Sequence, residues 1–304
     1  METTHALVNP LLSRKITNLS ESIHSNSKST FTVLQWNTLN SQLTDSFPKA
    51  DPLHLTSSHR NPLLVQEIKS YSPDFVCLEE VNNLDIDLFK GIFDSTEYDC
   101  IFHGKYQGTD GLCFFYNQKR YELVKSELQT YIDLETNKKQ SQVFQLNILR
   151  QKNSEGSESD YLMIIFTHLK AKEQNTEIRN QQVKQLLKFM NETKEEFLES
   201  KKGSNINLGI VVCGDFNDEP HSEPIRLFEE ATKFKTAFEG EKFTTFKIRN
   251  EVKKRVIDYV FYNESLRLVG KNNIPTEELI GMNGLPNEGY PSDHLSLVCK
   301  FAFN

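Results

Sequence analysis

The sequence is short of several things, and each shortage removes a class of reading. It has no apolar stretch fit to cross a bilayer: its longest runs, such as Tyr161–Phe166 and Leu208–Cys213, fall far below the roughly 20 residues a transmembrane helix needs. It has no excess of basic charge. Its 35 Lys and Arg are outnumbered by 42 Asp and Glu, for a formal net charge of −7, which argues against a broad basic surface for RNA or DNA but leaves room for a local cationic pocket. Cysteine is scarce and odd in number, five in 304 residues. Cys77, Cys100, Cys113, Cys213 and Cys299 match no zinc spacing and mostly lie in apolar runs, so they read as buried free thiols of a reducing compartment. No Pro/Gly/Ser linker divides the chain. Although the length alone allows two domains, one domain over residues 31–304 is expected, because polar motif residues run from Asn37 to His294. The first thirty residues are Ser/Thr-rich with scattered Arg14, Lys15 and Lys28, and lack the apolar core of a secretory signal. Residues 1–30 therefore read as a disordered leader; a mitochondrial transit reading through Leu11–Ile23 is opposed by Glu2 and Glu21, and a cytoplasmic monomer with no membrane association is the expectation.

What the chain has instead is a series of β-type runs that end, or are interrupted, in polar groups. The central one is Ile210-Val211-Val212-Cys213-Gly214-Asp215-Phe216-Asn217, a β-branched run closed by Gly214 and bounded later by Pro220. Period-2 alternation sets Asp215 and Asn217 on one side as the chain leaves the sheet. A carboxylate beside a carboxamide there can activate a water and position a phosphoryl oxygen. The competing reading is an Asx-type turn that serves only nearby backbone amides.

The other runs repeat the pattern. Phe31–Asn37 ends in Asn37. Asp74–Val81 carries Glu79 and Glu80 inside an apolar strand, where adjacent positions face opposite ways, so only one of the two is expected to enter a shared site. An unpaired buried carboxylate costs several kcal/mol, on the order of 3–5, and a metal ion removes that cost. Asp110–Asn117 opens on an Asp-Gly turn, with Lys105 just before it. Val143–Leu149 and Tyr161–Phe166 flank the charged segment Gln151–Asp160, an expected exposed hairpin tip. Thr167-His168-Leu169-Lys170-Ala171-Lys172 closes the second of these strands, and its His and two Lys suit a phosphate pocket that Lys105 would join; solvated charge is the alternative. Arg255–Tyr262 places Asp258 inside one strand, and Tyr290-Pro291-Ser292-Asp293-His294 precedes the last strand, Leu295–Phe303. A buried Asp258 is the group that would hold His294 in one tautomer, as base or as charged stabiliser. Helices are expected from Asn61-Pro62 to just before Ser72-Pro73, with Asn61 as N-cap, over Asn180–Lys201, and over Glu223–Phe234.

Taken together, Gln35-Trp36-Asn37, Leu78-Glu79-Glu80-Val81, Thr167-His168-Leu169-Lys170, Gly214-Asp215-Phe216-Asn217, Ile257-Asp258-Tyr259 and Pro291-Ser292-Asp293-His294 resemble, in order, the endonuclease/exonuclease/phosphatase superfamily, and most closely its nocturnin-like, deadenylase-related branch. The branch resemblance also rests on Phe243-Thr244-Thr245-Phe246-Lys247-Ile248-Arg249 and Tyr290–Cys299. It implies a two-sheet α/β sandwich of the DNase I-like type, with the site where the strand ends of the sheets meet. It implies Mg²⁺, or Mn²⁺ in its place, bound by Glu80 with Asn37 nearby and Asp293 close to the metal. It further implies that Asp215 activates water, Asn217 orients it, Asp258 supports His294, and His168 lies against the phosphoryl group. Three positions depart from the pattern: Glu79 stands where relatives commonly have Gln, Lys172 where nocturnins have Arg, and Phe246 where they have Trp. The implied activity is removal of the 2′-phosphate of NADP⁺ or NADPH, with Lys105, Lys170 and Lys172 as the phosphate pocket. The alternative is a 3′-exoribonuclease on poly(A).

Overall fold

The computed structural model describes residues 12, 14–19, 30–152 and 159–304. The strands are β1 (Ile16–Asn18), β2 (Phe31–Asn37), β3 (Phe75–Asn82), β4 (Tyr98–Gly104), β5 (Asp110–Asn117), β6 (Tyr121–Ile132), β7 (Lys139–Gln151), β8 (Ser159–His168), β9 (Ile206–Asp215), β10 (Lys235–Thr236), β11 (Thr245–Ile248), β12 (Val252–Arg255), β13 (Asp258–Tyr262), β14 (Leu266–Asn272) and β15 (Leu297–Phe303). The helices are α1 (Ser57–Ser70), α2 (Ile86–Lys90), α3 (Thr176–Ser200), α4 (Glu223–Thr232) and α5 (Glu277–Ile280). One sheet runs β1-β14-β15-β2-β3-β5-β4, a second β10-β13-β9-β8-β7-β6, and β11 and β12 form a separate hairpin. Within each large sheet a single parallel pair, β2 with β3 and β8 with β9, is flanked by antiparallel neighbours.

The continuous apolar runs are explained by burial on both faces. On β2, Phe31 and Val33 point into the space between the sheets, where they join Phe75 and Cys77 of β3 and Leu162, Ile164, Phe166, Val211 and Cys213 of the other sheet. The alternate residues Leu34 and Trp36 turn outward against Leu64 and Ile68 of α1. On β9, Ile210 and Val212 face Val183, Leu186 and Met190 of α3 in the same way. The layers are therefore helix, sheet, sheet, helix, an α/β sandwich as expected, and each large buried side chain adds about 1.5–3 kcal/mol. No helix among the described residues is long and apolar enough to cross a membrane.

Several expectations are corrected. Thr56, not Asn61, caps α1, its hydroxyl accepting from the His59 amide, so the helix begins earlier and Pro62 lies inside it. Arg255–Tyr262 is not one strand: β12 ends at Arg255, and β13 begins at Asp258 in a different sheet. The strands β4, β6 and β14 were not expected at all, because their apolar residues are interspersed with charge. The leader expectation fails over residues 14–19. There β1 pairs with β14, and the buried Arg14 guanidinium reaches Glu67 at 3.2 Å, the Tyr290 hydroxyl at 3.0 Å and Ser296 Oγ at 2.9 Å. The rest of that stretch apart from residues 12 and 30, and residues 153–158 of the expected hairpin tip, lie outside the described residues.

One glycine decides how the second sheet can approach the site. Gly214 has φ 134°, and a Cβ there would lie 2.0 Å from the Thr167 carbonyl oxygen of β8. That atom is backbone in the parallel ladder and has nowhere to go. Gly214→Ala is expected to cost about 3 kcal/mol or more, read as a large fall in soluble yield or in the urea midpoint; an unchanged midpoint would refute the close approach.

Candidate active site

Both parallel pairs deliver polar side chains at their carboxyl ends. The register sets Asn37 beside Glu79 across β2 and β3, His168 beside Asp215 across β8 and β9, and Asp258 beside Asp215 across β13 and β9. The segment before β15 brings in Asp293 and His294, fixed by the Trp36 indole N–H donating to the His294 carbonyl at 2.7 Å and by Ser292 Oγ donating to the Asn37 carbonyl at 2.7 Å. Arg60, buried in α1, ties the same parts together through the Pro291, Thr38 and Leu39 carbonyls at 2.6, 2.7 and 2.6 Å.

Asn37 joins the two sheets. Its Nδ2 donates at 3.1 Å to Glu80 Oε1 and at 3.1 Å to Asp215 Oδ2. Glu80 has φ 58° at a bulge where the β3–β5 register shifts between Leu78 and Val81, and its Oε2 accepts from the Asn40 amide at 3.0 Å. This turns Glu80 to the site, while Glu79 is fully buried behind it, accepting from Gln35 Nε2 at 2.9 Å. The two carboxylates thus face different partners, Glu80 toward Asn37 and Glu79 toward Gln35. Burial, reinforced by Cys213 and Asp258, holds the Glu79 carboxyl well above its ordinary value.

Asp215 makes the Asx-type turn with one oxygen and turns the other toward the two histidines. Its Oδ1 accepts from the Asn217 amide at 2.8 Å, the turn, while Oδ2 stands 3.7 Å from His168 Nε2 and 3.8 Å from His294 Nε2. Asn217 does not continue the alternation. It has φ 54°, and its Nδ2 donates to the Leu169 carbonyl at 3.0 Å. Burial pushes the Asp215 carboxyl up to about 7, with His294 opposing and Asp258 adding to the rise.

The two histidines are set to opposite charge states. His294 Nδ1 lies 3.1 and 3.0 Å from the two oxygens of Asp258, whose Oδ2 accepts from Thr244 Oγ1 at 2.6 Å. Burial alone would lower His294, but Asp258, Asp293 and Asp215 outweigh it and raise it to about 9. His168 is pushed well below its ordinary value by burial and then by Lys105. Lys105 Nζ is 3.3 Å from His168 Nδ1 and can only donate, so Nδ1 is the acceptor and the neutral ring carries its hydrogen on Nε2. The raised His294 has a consequence for stability. A folded value of about 9 against 6.5 gives a contribution complete below pH 6.5 and lost as pH rises through 9. The melting temperature should fall across that window, and fall less steeply in His294→Gln; equal slopes would count against the assignment.

The three expected phosphate lysines do not form one pocket. Lys105 is ion-paired with Asp110 at 2.6 Å, beside His168. The carbonyls of Lys170 and Lys172 both accept from Arg179 Nη1 at 2.8 Å, and Arg179 is paired with Asp218 at 2.8 Å. Of the three, Lys172 lines a cavity of about 440 Å³ that reaches Asn217 and is walled by Lys247, Arg249, Lys253 and Arg255, and also by Glu173 and Glu251, which pair with Lys253 at 3.5 and 3.0 Å. The extended segment Phe243–Arg249 was recognised in the sequence, but the charges of its hairpin were not given a role. Lys247 is the most consequential of these. Its Nζ sits 2.9 Å from Asp293 Oδ2 and, against the effect of burial, holds that carboxyl down to about 2.

Among the described residues two groupings come into question for a metal ion, and the chemistry separates them. Asp215, Asp258 and His294 bring possible ligand atoms within 4.8 Å of one another, but His294 is protonated and its Nδ1 is taken by Asp258, so this trio does not fit. The carboxylate of Glu80 is an oxygen donor suited to a hard divalent cation; Asn37 turns its Nδ2 toward Glu80 and Asp215, while its amide oxygen accepts from the Leu39 amide at 3.1 Å. Asp293 takes Lys247 as its counter-ion.

An acid–base cluster of this kind, with a cationic wall beside it at the strand ends of a two-sheet sandwich, defines a phosphoester hydrolase. The model of the endonuclease/exonuclease/phosphatase family matches residues 34–294, and the chain belongs to that family, in which divalent-metal dependence is typical. It is nocturnin-like: it is 33% identical over 300 residues to nocturnin of Xenopus laevis, covering 90% of this chain and 73% of that protein. It superposes on the solved human nocturnin catalytic domain with bound sulfate at a TM-score of 0.74 and 25% identity, covering 97% of this chain and 100% of that one. The CCR4-Not complex 3′-5′-exoribonuclease subunit Ccr4 of Saccharomyces cerevisiae is 24% identical over 91% of this chain and 39% of its own length.

Proposed function

We propose that this chain removes the 2′-phosphate of NADP⁺ or NADPH with a divalent cation, giving NAD⁺ or NADH and inorganic phosphate. The observation that carries the reading is the cationic cavity of about 440 Å³ beside Asn217. Its size is that of a small-molecule site, and its charge suits the further phosphates of a dinucleotide, while the chain as a whole is acidic.

Glu80, joined by Asn37 once its amide turns to present oxygen, would hold Mg²⁺, or Mn²⁺, which when bound supplies a Lewis acid for the phosphoryl oxygens. Asp215, pushed up to about 7, is matched as a base to a neutral medium and takes a proton from the attacking water. Asn217 fixes the loop that holds that water. His294, cationic and steadied by Asp258, faces the charge that grows on the phosphoryl oxygens, and neutral His168 donates from Nε2 to the same group. Lys172 is assigned to phosphate in the cavity itself, and Lys105 to phosphate beside His168. Residues 31–304 work as one catalytic domain in this reading.

A second reading, 3′-exoribonuclease action on poly(A), is favoured by the similarity to Ccr4. The test is phosphate release from NADP⁺ with Mg²⁺ beside 3′-shortening of a labelled poly(A) strand, with Asp215→Ala as control. Phosphate release that the variant loses, with RNA intact, is expected. Shortened RNA without phosphate release would replace the first reading with the second.

A further inference from the structure

Cys100 and Cys113 belong to no part of the site described above. Cys77, Cys213 and Cys299 are sealed between the sheets, but Cys100 is half-buried on β4, the edge strand of the larger sheet, and Cys113 is buried on the adjoining β5. Their sulfurs are 3.4 Å apart. The register sets Cys100 opposite Phe115 and Cys113 opposite Phe102, so the sulfurs meet diagonally across the ladder. Diagonal Cα atoms in such a ladder are about 7–8 Å apart, whereas a disulfide holds them at about 4.4–6.8 Å. Closing the bond therefore requires β4 to shear along β5.

That shear has somewhere to go. β4 runs through Gly104 straight into Lys105, and β5 starts at Asp110, the partner of Lys105 at 2.6 Å. At the same end the strands are in close contact, since a Cβ on Gly111 would lie 2.3 Å from the His103 carbonyl oxygen. Movement of the edge strand is thus passed to Lys105 and from it to His168 at 3.3 Å.

We propose that Cys100 and Cys113 are an oxidation site, closing to a reversible disulfide under a peroxide and displacing Lys105 from His168. The Cys100 thiolate attacks the peroxide: an S–O bond forms, the O–O bond breaks, and the departing hydroxide takes the proton that Cys100 gave up on ionising and leaves as water. The Cys113 sulfur then attacks the sulfenic sulfur of Cys100; the S–S bond forms, the S–O bond breaks, and the departing hydroxide takes the Cys113 proton as a second water. Two thiols are oxidised and one peroxide is reduced. In support of this order, the hydrogen bond from Cys113 holds the Cys100 thiol below its ordinary value, with burial opposing and Lys90 assisting.

The full chain is treated with hydrogen peroxide under native conditions, trapped with a thiol-blocking reagent and digested. Free thiols should fall from five by the two that enter the bridge. A 100–113 cross-linked peptide should appear and vanish on treatment with dithiothreitol, and Cys100→Ser should lose both signals. Cys113 recovered as free thiol beside an oxidised Cys100, or no reaction at either residue, would overturn the proposal, and Cys113→Ala guards against a folding defect in the first variant. The functional consequence rests on the phosphohydrolase reading and is scored separately: bridged protein should lose about tenfold or more in kcat/KM, restored by the dithiol. Bridged protein of unchanged activity would overturn the link to Lys105, while absence of turnover in the untreated chain would fault the proposed substrate and leave the thiol result standing.

Discussion

Asp215→Ala lowers kcat by about 10³-fold or more, with the melting temperature shifted by no more than about 2–4 °C, equivalent to roughly 1 kcal/mol. The two effects part because of where the carboxylate sits. Asp215 is buried beside Asp258, so ionising it works against folding, and that burden disappears with the side chain. The neighbours it leaves keep other partners: Asn37 still donates to Glu80, and His294 still has both oxygens of Asp258. Glu80→Ala should lower kcat alike, although it also takes the acceptor from the amide of buried Asn40. Steady-state kinetics and a thermal melt on the same preparation decide the matter. A melt displaced by ten degrees or so, roughly 3–5 kcal/mol, would make the group structural.

For Asp258→Asn the expected loss in kcat is about 10²–10⁴-fold, together with a change in the pH profile that the first variant does not share. Asp258 is the foremost of the carboxylates that raise His294 to about 9. The amide keeps the size of the side chain but not its charge, so the imidazolium loses its main support and the basic limb of kcat/KM should move toward acid. The sign is fixed by burial, which lowers His294 once the carboxylate no longer outweighs it. Stability should fall too, most at neutral pH and least above about pH 9, where the wild-type ring is already neutral. A basic limb left in place would show that His294 is not the group that sets it.

The polar ends of β2, β3, β8 and β9 were legible in the sequence because carboxylates and amides interrupt runs that are otherwise apolar. Burial on both faces made those strands continuous and therefore visible. The edge strands β4 and β6 were not legible: Asp99 and Glu122 face solvent there, and alternation is broken in β6 by bulges near Leu123 and Thr130. Arg14 was unreadable for another reason. A lone Arg in a Ser/Thr-rich stretch gives no sign of the partners, Glu67 and Tyr290, that sit 53 and 276 residues away. The lysine pocket failed on similar grounds. Proximity in sequence linked Lys170 to Lys172, but the cavity wall comes from the β11–β12 hairpin, whose turn folds Lys247 and Arg249 back toward Lys253 and Arg255.

The strand orders carry one more consequence. Written as β14-β15-β2-β3-β5-β4 and β6-β7-β8-β9-β13-β10, the two sheets agree strand for strand in relative direction, with α1 and α3 bridging the equivalent parallel pairs. Leaving aside β1 at the edge, the two sheets thus repeat one arrangement, and the site is where the equivalent corners meet. Asn37 and His168 occupy matching strand ends, as do the carboxylates of β3 and Asp215, and Asp110 and Asp258 open matching partner strands. The corners do different work: one opening carboxylate neutralises a lysine and the other charges a histidine, so one backbone arrangement used twice gives the site two sides of different charge.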